Sequence, residues 1–375
     1  MKELDFDEFK PSSLDEWKKL VQKELGEKSY ESIVWKDKNG LVLEPYLVAS
    51  SQLPVTGEQA LAISHQPTAK SWLIHEIATG TDVKEVNRMV LQSLNGGVNS
   101  IGINIAISSR EDLDVVMKDV LFEYIAVHLR GDKNPLALAQ WLVERANEKG
   151  ISTKTLQGSL FFNAFDNSIS DDEFLKLAHF SKEHFSLFKT LVVEVISLHQ
   201  TGANAVEELS TALARGNDLL QRLTSSGISI DDASAMIQFS FSVGSSYFVE
   251  MAKLWAFRKL WAQVVEKYQP AHECSKQCFI YAGTSMLAQD KEDANSNLLR
   301  ATTQAMSAIL GGANAVCVTP HDGDLNNENS LRLARNVQHL LIEESYLNEA
   351  LNAAEGSYYI EEIERQLTMR VMEHG

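Results

Sequence analysis

The sequence predicts an α/β protein, a (β/α)8 TIM barrel that carries an N-terminal helix-plus-hairpin extension. The first observation behind this is a rhythm of short apolar runs from residue 71 onward: SWLIHEI at Ser71, IGINIAI at Ile101, LFEYIAV at Leu121, GSLFFNA at Gly158, LVVEVIS at Leu191, MIQFSFS at Met236, CFIYAGT at Cys278 and NAVCVTP at Asn314. These runs are crowded with β-branched and aromatic residues and show little polar alternation, as parallel strands covered on both faces do. The second is that a segment of helical periodicity follows each run. The third is size, since eight βα units over about 275 residues fit a barrel of typically ~250 residues. A doubly wound open sheet, the structural rival, rarely needs so many consecutive units of this regularity.

The elements justify themselves in order. Residues 1–70 form the extension and 71–375 the barrel. SLDEWKKLVQKEL opens with a capping box, Ser13 with Glu16, and places Leu14, Trp17, Leu20, Val21 and Leu25 on one helical face, with Gly26 as a stop. SIVWKDKNGLVLEPYL sets Asn39-Gly40 between two β-rich runs, a hairpin signal. Neither piece buries its apolar face alone, so each is expected to dock on the barrel or on another chain. The barrel helices are expected at Asp82 to Leu94, Glu111 to Lys118, Pro135 to Glu148, Asp171 to Phe188, Ala205 to Ser225, Ser245 to Glu266, Lys291 to Leu310 and Asn329 to Ser345.

Composition narrows the function. With 34 Lys+Arg against 51 Asp+Glu the formal net charge is −17, and no basic run interrupts it, so nucleic acid and anionic membrane are poor partners. No leader-like segment opens the chain and no apolar run approaches the ~20 residues that span a bilayer, so a cytoplasmic protein is expected. Three cysteines, Cys274, Cys278 and Cys317, suit a reducing compartment. The stretch HECSKQC spaces two of them as CxxxC, with no second Cys/His cluster to complete four ligands, so a metal site is not expected.

Barrel chemistry stands at the C-terminal ends of the strands. Those ends read Ile77-Ala78-Thr79, Ala106-Ile107-Ser108, Val127-His128-Leu129, Asn163-Ala164-Phe165, Ser197-Leu198-His199, Ser242-Val243-Gly244, Gly283-Thr284-Ser285 and Thr319-Pro320-His321-Asp322. It is a neutral rim, whereas acid–base work wants carboxylates, His or Lys. His128 with Arg130 suits either a phosphate or CoA contact or a rim histidine satisfied by backbone. His199 is a general-base candidate or a turn residue before Gly202, and His321-Asp322 is a polarised imidazole or a solvated turn. No nucleophile elbow, phosphate-cradling glycine pattern or HExxH helix is present.

GISIDDASAMIQFSFSVGSSYFVEMAKLWAFRKLWAQVV, Gly227 to Val265, closely resembles the sixth barrel unit of methylmalonyl-CoA mutase. HQTGANAVEEL, MLAQDKEDANSNLLRATTQAMSAILGGANAV, LRLARNVQHLLIEES and GSYYIEEIERQL echo the same family, and the resemblance is closest to the small, non-catalytic subunit of its heterodimeric members. It implies a barrel like the family's acyl-CoA-binding domain. It also locates departures. Where catalytic chains carry Gly-Tyr-His at the fifth strand's end, this chain has Val195, Ile196 and Ser197. For Gln-Asn-Asp on the fourth it has Phe161, Phe162 and Asn163, and for the Arg and Ser of the sixth it has Met236 and Gln238. For Arg-Thr-His-Ser-Gln on the seventh it has Phe279, Ile280, Tyr281, Ala282 and Gly283.

Apolar groups in place of polar ones are expected to plug the axis with Phe161, Phe162, Met236, Phe279 and Tyr281, leaving no catalytic residue in this chain. The family's cobalamin motif, Asp-x-His-x-x-Gly, has a partial echo at His128 to Gly131, but Ala126 stands in the Asp position. No cobalamin domain, cofactor site or metal site is therefore expected here. The resemblance implies adenosylcobalamin in a partner, the catalytic large subunit, with which this chain would form a heterodimer interconverting methylmalonyl-CoA and succinyl-CoA. The alternative is a free-standing acyl-CoA-binding protein or enzyme using His128, Arg130, His199 and His321 in a rearranged mouth.

Overall fold

Side-chain alternation along the strands is what turns apolar runs into a barrel with a distinct inside. In the computed structural model, which describes residues 13–47, 71–131, 134–162, 164–165, 169–350 and 352–374, helix α1 (Leu14–Leu25) begins at the expected capping box. The Glu16 amide donates to Ser13 Oγ at 3.2 Å and the Ser13 amide donates to Glu16 Oε2 at 2.9 Å. No residue of α1 is fully buried, and Trp17 sets its ring against Tyr46 at 5.4 Å between ring centres, tilted by 39°.

The strap that follows is the expected hairpin, β1 (Trp35–Lys36) paired antiparallel with β2 (Val42–Leu43). Asp37 Oδ1 caps its turn by accepting from the amides of Asn39 and Leu41 at 2.9 and 3.0 Å. The hairpin docks on the barrel rather than standing free. Leu41 and Leu43 are fully buried, Asn39 Oδ1 accepts from the Ala205 amide at 2.7 Å, and Gln366 brackets Val42 through both its backbone groups at 3.0 and 2.8 Å. Burying two leucines contributes about 1.5–3 kcal/mol each, which fixes the strap while leaving α1 outside it.

The barrel follows: β3 (Leu73–Thr79), α2 (Val83–Asn95), β4 (Ser100–Asn104), α3 (Arg110–Val116), β5 (Ala126–Arg130), α4 (Pro135–Glu148), β6 (Gln157–Phe161), α5 (Asp171–His184), β7 (Phe188–Lys189), β8 (Leu191–Glu194), α6 (Ile196–Gln200), α7 (Ala205–Ser225), α8 (Ile230–Ala235), β9 (Ile237–Val243), α9 (Tyr247–Glu266), β10 (Phe279–Thr284), α10 (Ala294–Leu310), β11 (Ala315–Cys317), α11 (Glu328–Glu343) and α12 (Tyr358–His374). All its pairings are parallel, and β7 joins β6 while β8 joins β9. Only Thr190 separates β7 from β8, so the two are halves of one fifth strand and the ring closes as a (β/α)8 barrel. The phenylalanines of β9 face outward: Phe239 meets Phe257 and Trp261 of α9 at 4.6 and 4.7 Å, and Phe241 meets Phe257 at 4.8 Å. Helix α9 lies between the strands and α12 and is buried nearly all round, as its continuous apolar sequence requires.

Several expectations shift. Leu121 and Tyr124 are exposed turn residues, and the third barrel strand begins only at Ala126. Helix α5 ends at His184 because Phe188 already belongs to the fifth strand. Helices α6 and α8 are short additions, and α12 is a further helix, sealed by Ile360, Ile363, Leu367 and Val371. Gly158 is required by close approach: with φ +129° it lies where a Cβ would come within 1.8 Å of the Val127 carbonyl oxygen. Among the described residues no helix is long and apolar enough to cross a membrane.

Candidate ligand cavity in the barrel mouth

The inward positions of β3, β4, β5, β6, β9 and β10 enclose a cavity of about 310 Å³. Strand register builds its inner wall, pairing His75 with Ser100, His128 with Ser159, and Tyr281 with Ser240. Four of these side chains form one hydrogen-bonded chain. Ser100 Oγ lies 2.8 Å from His75 Nδ1 and 3.0 Å from His128 Nε2, and His128 Nδ1 lies 2.7 Å from Ser159 Oγ. Gly102 makes room for it, since a methyl there would stand 3.0 Å from His75 Nε2.

Burial keeps this chain neutral. It pushes His128 down to about 4, and burial reinforced by the neighbouring His128 holds His75 well below its ordinary value. With one proton per group the chain has two self-consistent states. In one, hydroxyls and imidazoles all donate towards His75, whose Nε2 then carries hydrogen; in the other all donate towards Ser159, and Nε2 becomes an acceptor. Tyr281 sets its ring edge-on to His75 at 4.9 Å and pairs its hydroxyl with Cys317. Burial drives the Tyr281 hydroxyl well above its ordinary value and the Cys317 thiol up to about 12, so neither supplies an anion near neutral pH. Across the cavity, Gln238 Oε1 and Ser240 Oγ are buried without a hydrogen-bond partner. Nearer the opening stand Ile77, Ile103, Asn104, Arg130 and Ile196, with Arg130 donating to Asn104 Oδ1 at 3.2 Å.

The axis is thus not plugged. Phe161 stands at the rim, 40 % exposed, and Phe162 turns outward into the core between barrel and helices. Met236 is buried just ahead of β9, and Phe279 lines a depression at the opposite, N-terminal end of the barrel with Leu73 and Ala126. Tyr281 forms wall rather than stopper. The physical reason is period two: on β9 the phenylalanines face the helices and Gln238 and Ser240 face the axis. Of the positions at which the family pattern is altered, Phe161, Ile196, Gln238 and Tyr281 line the cavity. Phe162, Ser197 and Met236 do not, Ser197 being exposed and donating to Glu194 Oε2 at 2.6 Å. Asn163 lies outside the described residues.

The histidines of the rim find other places. His128 is no rim residue but the middle of the buried chain. His199 is buried under the mouth, its Nδ1 2.7 Å from Glu208 Oε1 and its Nε2 2.8 Å from Ser285 Oγ. Glu208 in turn takes Lys253 Nζ at 2.8 Å, and Lys253 also meets Glu250 at 2.5 Å and the Ser242 carbonyl at 2.8 Å. Ser285, His199 and Glu208 have the order of a hydrolase triad, but Ser285 is 3 % exposed and its Oγ also accepts from the Leu287 amide at 3.2 Å. The cluster ties α6, α7 and α9 to the ends of β9 and β10. His321-Asp322 is a turn, Asp322 accepting from the Asp324 amide at 3.0 Å and Ser330 Oγ at 2.5 Å. HECSKQC lies by the barrel's opposite end. His75, Ser100, Ser159 and Ser240 lie deeper in their strands than the C-terminal ends where barrel chemistry is expected, and the alternation in LIHEIAT and IQFSFSV is the signal in the sequence that marks such inward positions.

Neither His-x-x-Gly fits cobalamin. The imidazole of His128 is bound at both nitrogens by Ser100 and Ser159, and that of His199, followed by Gly202, by Glu208 and Ser285.

Comparison with known proteins places this geometry in context. Residues 90–374 match the family model described as methylmalonyl-CoA mutase. The chain is 30% identical to the methylmalonyl-CoA mutase small subunit of Porphyromonas gingivalis over 96% of its own length and 62% of that protein's. It is 27% identical to the small subunit from Streptomyces virginiae, again over 96% and 62%, and 24% identical to the methylmalonyl-CoA mutase of Cereibacter sphaeroides over 94% and 56%. The chain therefore spans less than two thirds of the length of these relatives.

Proposed function

The chain belongs to the methylmalonyl-CoA mutase family, and from that premise we propose that it is a small, non-catalytic subunit that pairs with and stabilises a catalytic large subunit. The observation that carries this reading is the similarity, across nearly the whole chain, to two proteins named as mutase small subunits. The site supports it. Ile196 and Ser197 occupy the positions where the family resemblance places Tyr and His, and the two imidazoles inside the barrel are engaged with serines and neutral. A neutral imidazole is a poor donor of protons to a thioester oxygen. Adenosylcobalamin belongs, in this reading, to the large subunit, and the reaction of the pair is the interconversion of methylmalonyl-CoA and succinyl-CoA. The test is co-purification from the native cell: the untagged large subunit is expected to accompany this chain, and recovery of the chain without it, at concentrations where mutase activity is measurable, overturns the assignment.

A second reading is favoured by one observation, the open cavity of about 310 Å³. It is that the barrel binds an acyl-CoA by itself. Ligand at 100 times its dissociation constant adds about 2.7 kcal/mol to stability, so a clear rise in melting temperature with millimolar CoA would favour this reading, and no rise would leave the first in place.

A further inference from the structure

We propose that the depression at the N-terminal end of the barrel is a carbonyl-capture site, in which the Lys189 amine forms a reversible imine with a small uncharged aldehyde. Lys189 ends β7 and pairs with Ser159, whose hydroxyl reaches the buried His128, so its side chain turns to the same inner face of the barrel. It lines a cavity of about 590 Å³ together with Leu73, Ala126, Ile237 and Phe279, a size within the range of small-molecule sites. Half-buried there, Lys189 Nζ donates to the Ala235 carbonyl at 2.7 Å, and among the described residues no carboxylate pairs with it. The two aspartates of the same cavity are committed elsewhere. Asp231 accepts from the Ala271 and His272 amides at 3.1 Å each and from Ser275 Oγ at 2.5 Å, and Asp232 meets Lys182 Nζ at 3.1 Å.

An ammonium in this place has three N–H groups and one protein acceptor. A protonated imine carries a single N–H, which the Ala235 carbonyl takes. Burial without a countercharge pushes the amine down to about 8, so part of it is neutral and nucleophilic near pH 7. The nitrogen lone pair attacks the aldehyde carbon, and the carbonyl oxygen takes up the proton that the nitrogen sheds. The carbinolamine then loses water to leave the C=N bond, and water reverses the step. Leu73, Ile237 and Phe279 offer apolar wall to the rest of the molecule. Hydrogen bonds hold the Asp231 carboxyl below its ordinary value and therefore ionised, so an aldehyde that itself carries a carboxylate is selected against. The site lies at the end of the barrel opposite the mouth, and the inference does not rest on the proposed pairing with a large subunit.

The experiment incubates the full chain with benzaldehyde or 4-carboxybenzaldehyde and sodium cyanoborohydride at neutral pH, and reads reductive alkylation lysine by lysine by mass spectrometry. With benzaldehyde, Lys189 is expected to label about tenfold faster than the other lysines. A value of about 8 against the usual ~10.4 raises the neutral fraction by more than the lower basicity weakens the attack. The rate at Lys189 should saturate with benzaldehyde, and benzyl alcohol, of the same shape without the carbonyl, should slow Lys189 and no other lysine. With 4-carboxybenzaldehyde most of the advantage of Lys189 over the other lysines should disappear. Labelling of Lys189 at the rate of the other lysines, a rate linear in benzaldehyde with no protection by benzyl alcohol, or an equal advantage with 4-carboxybenzaldehyde would each overturn the proposal.

Discussion

Removing one cation tests the buried cluster beneath the mouth. Lys253 is fully buried, and its ammonium meets Glu208 at 2.8 Å, Glu250 at 2.5 Å and the Ser242 carbonyl at 2.8 Å, while Glu208 also holds His199 at 2.7 Å. Burial opposes the charge on Lys253, but the two carboxylates outweigh it and raise its pKa; burial opposes the charge on Glu208 as well, and Lys253 with His199 outweighs it and lowers that pKa. Lys253→Met keeps most of the volume and leaves both carboxylates without their ammonium. Breaking a buried pair from one side costs about 3–5 kcal/mol, and at roughly 2 °C per kcal/mol for a large domain the melting temperature is expected to fall by about 6–10 °C. The sign with pH is fixed by linkage. Glu208 has a depressed folded pKa, so its stabilisation is present above the ordinary carboxylate range and is lost as pH falls through the folded value. The gap between wild type and Lys253→Met is therefore expected to narrow on acidification, because protonation then removes the uncompensated charge in the variant. Differential scanning calorimetry at neutral and acidic pH reads both effects. A loss below about 1 kcal/mol, or a gap that widens on acidification, would refute the account of the cluster as a charge-compensated tie.

Three further outcomes follow from the same reasoning. Gln238→Leu is expected to raise stability by about 1 kcal/mol in denaturant unfolding, because it removes a buried oxygen that has no partner. His128, depressed from 6.5 to about 4 by burial, contributes about 3 kcal/mol of stability that is complete above the unfolded value and is lost as pH falls from there towards 4; His128→Phe should flatten that part of the stability–pH profile, as hydrogen–deuterium exchange of β5 would show. Trp17→Ala removes a ring that touches Tyr46 in a helix with no fully buried residue, so the isolated chain should lose under about 1 kcal/mol whereas affinity for a large subunit should fall by ~2 kcal/mol or more; stability loss with unchanged affinity would make α1 an intramolecular strap instead.

What the sequence disclosed and what it withheld divide along the same physical line. Strand and helix existence was legible because both depend on local pattern: Pro135–Glu148 and Ala205–Ser225 match their periodic segments end to end, and the Asp37–Leu41 turn follows from Asn39-Gly40. Helix α12 was legible in principle from Ile360, Ile363, Leu367 and Val371, yet a ring already closed by eight units gives no reason to look for it. The cavity is different in kind. It depends on which of two alternating faces each strand turns inward, and an apolar run buried on both faces does not say. The residues expected to fill the axis were Phe161, Phe162, Met236, Phe279 and Tyr281; within MIQFSFS, α9 offers Phe257 and Trp261 to the phenylalanines on the outside, and aromatic packing there is gained only if Gln238 and Ser240 turn in. Once inside, small and polar side chains cannot fill the space that large apolar ones would, and His75 and His128 reach the two serines that satisfy them only in this register. The helix layer thus determines the cavity: the aromatic demand of α9 on one side of β9 leaves, on the other, the small and polar side chains that keep the barrel axis open.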